Sequence, residues 1–136
     1  MRTPCEVIAN IIIPAIRSYI VKKLMDIHGY TQLEAAESLG MTQSAMSRYY
    51  RGSRGRDLEI VKPIQPMINE IVEGIVKGKI SAKETIENIC IICYKLRSEG
   101  IICKLHKKIV PTLEEDCNFC NEIFERFHFT NINTNI

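Results

Sequence analysis

Five of the chain's six cysteines fall in one stretch, in the order Cys90-x2-Cys93-x9-Cys103-x13-Cys117-x2-Cys120, with His106 three positions after Cys103. Residues three apart on a helix project from one face, so each C-x2-C pair presents two sulfurs side by side. Two such helices packed together, with Cys103 and His106 on a closing loop, would gather a set of soft ligands. Four thiolates suit tetrahedral zinc, and four cysteines equally suit an iron–sulfur cluster. A fifth cysteine and irregular spacing favour the iron–sulfur cluster as cofactor, with zinc as the alternative; the metal-ligand set is Cys90, Cys93, Cys103, Cys117 and Cys120. The same thiols also read as small buried hydrophobes, because Ile89, Ile91 and Ile92 flank the first pair, and Phe124 and Phe127 share a stripe with the second. Disulfides are a third possibility. A thiol oxidoreductase fits less well, since Cys90 lies about two turns inside its helix rather than at a helix N-terminus. Cys5 stands alone and reads as packing; His28 and His128 read as surface residues.

A second group is polar rather than nucleophilic. Thr42, Gln43, Ser44, Ser47, Arg48 and Arg51 share one face of a short helix whose other side carries Met46 and Tyr49. That face is uncharged at its start and basic at its end, and Arg54 and Arg56 follow. A Gln amide matches adenine N6/N7 bidentately, and Arg matches guanine O6/N7. Gln43, Ser44, Ser47 and Arg48 therefore suit base edges in double-stranded DNA. Arg51, Arg54 and Arg56 suit phosphates, and Thr42 at the helix start offers a hydroxyl to one. The whole-chain net charge is only +2, but four arginines and no acid lie between Gly40 and Arg56. Local positive charge is what phosphate contact requires.

The elements that must position these groups are signalled by local chemistry. Four segments open with a capping box, in which a Ser or Thr caps the helix and a Glu three residues on reaches back: Thr3–Glu6, Thr31–Glu34, Ser81–Glu84 and Thr112–Glu115. Gly29, Gly40, Gly52, Gly78 and Gly100 fall where helices should stop. The expected helices run from about Pro4 to His28 with a kink at Pro14, then Gln32–Leu39, Gln43–Tyr50, a fourth opening near Pro63 and Pro66, Ala82–Glu99 and Leu113–Phe127. Ile16, Ile20, Leu24 and Ile27 give the first helix a buried face, and Ile64, Ile68, Ile71 and Ile75 give one to the fourth. No run is long enough to read as a strand, so the fold class is all-α. Ala36 is the small residue, Gly40 the turn, and Leu39, Met41, Met46 and Tyr49 the underside of a helix-turn-helix.

Gln32 to Arg51 resembles the helix-turn-helix of phage-repressor (Xre/Cro) regulators. With TPCEVIANIIIPAIRSYIVKKL before it and TQSAMSRYYRGSRG within it, the first 60 or so residues are similar to an archaeal branch of that family. In that branch the module also occurs fused to thiamine-phosphate synthase domains, and only the regulator role carries over here. The resemblance implies that Gln43, Ser44, Ser47 and Arg48 read DNA; a looser similarity in the Cys-rich part implies a cluster-bearing sensor. The expected architecture is a repressor-like helix-turn-helix bundle (1–62), a helical Cys-rich sensor and dimerisation region (63–129) and a tail (130–136). The expected function is a sequence-specific transcription regulator, homodimeric and cytoplasmic, redox- or metal-responsive through its cysteines. The alternative is a zinc-stabilised nucleic-acid or protein interaction module without a sensing role. No paired carboxylates or nucleophile constellation suggest an enzyme. An apolar run at Val7–Ile16 is broken by Asn10 and Pro14 and followed by Arg17, which reads neither as a secretory signal nor as a membrane span.

Overall fold

The computed structural model describes residues 3–52, 58–114 and 117–130, with some side chains in those ranges outside the description. It is all-helical, and no strand occurs among the described residues. Helix α1 covers Pro4–Ile27, α2 Gln32–Ser38, α3 Gln43–Tyr50, α4 Gln65–Val76, α5 Ala82–Ser98, α6 Ile101–Ile109 and α7 Phe119–Thr130; a 3₁₀ segment, Leu58–Ile64, precedes α4. The chain forms two compact units: Ala9–Ile92, and the residues through Ile8 together with Cys93 onward.

Local signals explain most helix starts. Thr3, Thr31 and Ser81 each accept from the backbone N–H three residues on, while Glu6, Glu34 and Glu84 accept from the cap's own N–H. All five glycines proposed as stops have positive φ. At Gly40 the value is 62°, where a side chain is strained, and an added Cβ would also stand 3.3 Å from Ile86 Cδ1.

In the larger unit, α1 is the central element, with α3, α4 and the 3₁₀ segment packed on it. Ile16, Ile20 and Leu24 are fully buried, as are Met46, Ile64 and Ile68 from the elements around them. Helix α1 is long and apolar enough to cross a membrane by length and composition, yet half of its most apolar stretch is buried inside the fold. In the smaller unit, the first turn of α1 packs on α6.

Three expectations require correction. Ile27 was expected on the buried face, but it is 63% exposed. The last turn of α1, Lys23–Ile27, is a π-turn with the His28 N–H donating to the Lys23 carbonyl at 3.3 Å, and the wider turn rotates Ile27 off the stripe. A second π-turn, Ile8–Ile12, ends two residues before Pro14. There the proline supplies no N–H and its ring crowds the carbonyl one turn back, so the widened turn marks the site expected to kink. The final helix starts at Phe119 rather than Leu113. Pro111 lies in a turn closed by the Leu113 N–H donating to the Val110 carbonyl at 3.1 Å, and Leu113 and Glu114 are not helical. Lastly, the stretch with Cys103 and His106 is helix α6 rather than a loop, its inner side carried by the buried Ile102 and His106. The tail beyond Thr130 lies outside the described residues.

Candidate functional site

The polar face of α3 is built from its two ends. Thr42 caps the helix by accepting from the Ala45 N–H at 3.2 Å. That hydroxyl is therefore engaged as an acceptor rather than fully available to a ligand. Gly40 and the Met41 N–H, which donates to the Ala36 carbonyl at 3.0 Å, make the turn between α2 and α3 compact. Ala36, Leu39, Met46 and Tyr49 are buried beneath it, with Met41 half-buried. Thr42, Gln43, Ser44, Arg48 and Arg51 are exposed and Ser47 is half-buried. The face expected from sequence is thus one continuous surface over residues 42–51. Arg54 and Arg56 lie outside the described residues.

The attachment of α3 to α1 was not anticipated. Ser18, fully buried on α1, donates from Oγ to the Tyr49 carbonyl at 3.0 Å. It thereby adds a second donor to a carbonyl in the last turn of α3, which also accepts from the Gly52 N–H at 3.3 Å. Arg17 donates from Nη1 to the Tyr49 hydroxyl at 3.3 Å, with its guanidinium 6.0 Å from the ring centre. The Tyr50 hydroxyl donates to Asp26 Oδ1 at 2.9 Å. Asp26 raises the Tyr50 pKa, first by accepting that hydrogen bond and then by its charge. These three contacts join the C-terminal turn of α3 to α1.

Gln32 is a further residue that sequence reasoning left without a role. The Gln43 amide donates to Gln32 Oε1 at 3.5 Å, at the outer limit of a hydrogen bond. Each glutamine is the first residue of its helix after a threonine cap. The repeated Thr-Gln pair, Thr31-Gln32 and Thr42-Gln43, was the available signal.

The cysteines divide. Cys90 is exposed on α5, in the larger unit, and Cys93 is half-buried one turn on. Cys117 precedes α7 rather than lying inside a helix. In the smaller unit burial, then the neighbouring Cys103 by charge and hydrogen bonding, push the Cys120 thiol up to about 11, with a smaller raising by Cys117 and a lowering by the Arg97 guanidinium. Arg97 also donates from Nη2 to the Cys5 sulfur at 3.0 Å, so Cys5 is an exposed partner of Arg97 and not a packing residue. With Asn121's amide oriented nitrogen-inward, it donates to the carbonyls of Ser98 at 2.9 Å and Arg97 at 3.1 Å, which pins α7 to the end of α5. An open cleft of about 750 Å³ in this unit is lined by Thr3, Pro4, His106, Leu113, Cys117 and Phe119 among others. Among the described residues no three His, Cys, Asp or Glu side chains are gathered to hold a metal ion. The side chains of Phe124, Phe127 and His128 lie outside the described residues.

No family model matches the chain, and neither a curated protein nor a solved structure matches it.

Proposed function

We propose that the chain is a sequence-specific, double-stranded-DNA-binding transcription regulator of the phage-repressor type, homodimeric and cytoplasmic, with its cysteines as the responsive part and no enzymatic activity. One observation carries the reading. Helix α3 buries Met46 and Tyr49 and leaves Thr42, Gln43, Ser44, Arg48 and Arg51 exposed on a face without a single acid. A helix seated this way can enter the major groove with its N-terminal residues against base edges. Gln43, steadied by Gln32, would meet adenine, Arg48 guanine, and Arg51 the backbone; Arg54 and Arg56 would add phosphate contacts.

Selection of bound sequences from a random duplex pool, followed by gel-shift titration, tests this. Affinity should fall steeply as salt rises, and Gln43→Ala should lose about 1–3 kcal/mol of discrimination at one base position while still binding DNA. Binding that is equally tight to all sequences in both proteins rejects the reading of this face.

The competing reading is a zinc-stabilised interaction module. Its support is the number of cysteines rather than their arrangement. Iron, zinc and acid-labile sulfide analysis of anaerobically purified protein separates the cases: iron with sulfide supports a cluster sensor, and zinc alone supports the module.

A further inference from the structure

We propose that the cleft of the smaller unit is a binding site for a small organic cation, a protonated amine carried on an apolar body. The cleft opens between the start of α1, the buried His106 of α6, the turn around Leu113 and the first turn of α7, and encloses about 750 Å³. Small-molecule sites occupy about 300–1,000 Å³, so the space suits a ligand of that kind. Backbone hydrogen bonds hold its walls before any ligand arrives. The Leu113 N–H donates to the Val110 carbonyl at 3.1 Å, the Cys117 N–H to the Glu114 carbonyl at 3.3 Å, and the Glu122 N–H to the Asn118 carbonyl at 3.0 Å. A wall ordered in advance loses little conformational freedom when a ligand binds.

The lining selects the charge of the ligand. Pro4, Leu113 and Phe119 supply apolar surface, and Glu114 and Glu122 add carboxylates at its edge. Among the described residues no lysine or arginine borders the cleft. Phe119, at the start of α7, is a large ring left 51% exposed. An aromatic face beside carboxylates suits an ammonium group, because the ring quadrupole and the carboxylates all attract positive charge. The partial positive charge at the α7 N-terminus favours the opposite sign, but Glu122 lies in that first turn and offsets it. A carboxylate or phosphate ligand would meet two like charges, and a neutral one would shield both carboxylates from water without pairing them. Cys117 also borders the cleft, but this recognition uses no thiol and needs no metal.

The site is independent of the DNA-binding reading; only an effect of the ligand on operator affinity rests on that reading. The test titrates phenethylamine into the isotopically labelled full chain, followed by amide NMR, with phenethyl alcohol and phenylacetate as its neutral and anionic counterparts. Phenethylamine should shift the signals of Leu113, Glu114, Phe119 and Glu122. The alcohol should bind several-fold more weakly, and phenylacetate should leave these signals unmoved. Glu114→Gln, Glu122→Gln and Phe119→Ala should each weaken amine binding by about two- to fivefold, the range for one exposed charge pair or cation–π contact. All three residues are exposed, so each variant should keep the parent's fold, which the unshifted remainder of its spectrum verifies. With both glutamates replaced, the preference for amine over alcohol should disappear. Equal binding of amine and alcohol by the parent, stronger binding of phenylacetate, shifts that map outside the cleft, or no shift at millimolar amine each overturn the proposal. So does loss of amine binding in folded Cys117→Ser protein while the glutamine variants bind as the parent does, a result that assigns the cleft to its thiol. Amine binding that leaves operator affinity unchanged upholds the site and rejects the amine as an effector of DNA binding.

Discussion

Ser18 shows how one side chain holds the helix that carries the exposed polar face of α3 without touching that face. Its hydroxyl meets the Tyr49 carbonyl in a fully buried position. Ser18→Ala removes this bond while the carbonyl keeps the Gly52 N–H at 3.3 Å, so the cost is that of one hydrogen bond, about 0.5–1.5 kcal/mol. Urea unfolding should report a loss of that size. Tyr49→Phe removes the Arg17 contact, which is long at 3.3 Å, and should cost less. The Tyr50–Asp26 pair has a pH signature instead. The hydrogen bond needs the phenol proton, so the Tyr50 pKa is raised in the folded state. The contribution to stability is therefore complete below the ordinary tyrosine value of 10.0 and is lost as pH rises through the raised folded value. NMR titration of the Tyr50 ring should show that raised midpoint, and Asp26→Asn should bring it down. An unchanged midpoint in Asp26→Asn would rule out the carboxylate as the cause.

At the scale of elements, the capping boxes give a matched comparison. Thr31 caps α2 with both reciprocal hydrogen bonds in place, whereas Thr112 has the same spacing to a Glu and begins no helix. Thr31→Ala should cost about 1 kcal/mol, and Thr112→Ala should fall within the range of an ordinary exposed substitution. Equal losses would show that the motif spacing, rather than the helix it starts, sets the energy. The π-turn at the end of α1 makes a related point. It moves Ile27 out of the core while placing Asp26, from the same turn, where Tyr50 reaches it. A regular α-helical wheel misplaces residues beyond such a turn, which is why the sequence pattern failed at Ile27 and held at Ile16, Ile20 and Leu24.

On the scale of the whole molecule, the larger unit runs from Ala9 to Ile92. It thus takes in α4 and most of α5, which lie beyond the boundary expected at residue 62. The apolar stripe of α4 packs on α1, and burial of that stripe decides which unit α4 belongs to. A regulator reading two half-sites must be a dimer, so sedimentation should give about twice the 15.6 kDa chain mass. A monomer at the concentrations used for DNA binding would reject the homodimer and leave the fold of α3 untouched.

What the sequence determined by itself is local. Helix starts at Thr3, Thr31 and Ser81 and stops at the five positive-φ glycines follow from hydrogen bonds three residues long and from the one residue lacking a Cβ. The two faces of α3 follow from helical periodicity alone. Tertiary structure decided what spacing cannot encode. It divided five cysteines into an exposed Cys90, a half-buried Cys93, Cys103 and Cys117, and a buried Cys120. It also paired Cys5 with Arg97 across 92 positions and Ser18 with Tyr49 across 31. Such contacts arise when helices pack, and their partners are set by which faces meet rather than by distance along the chain.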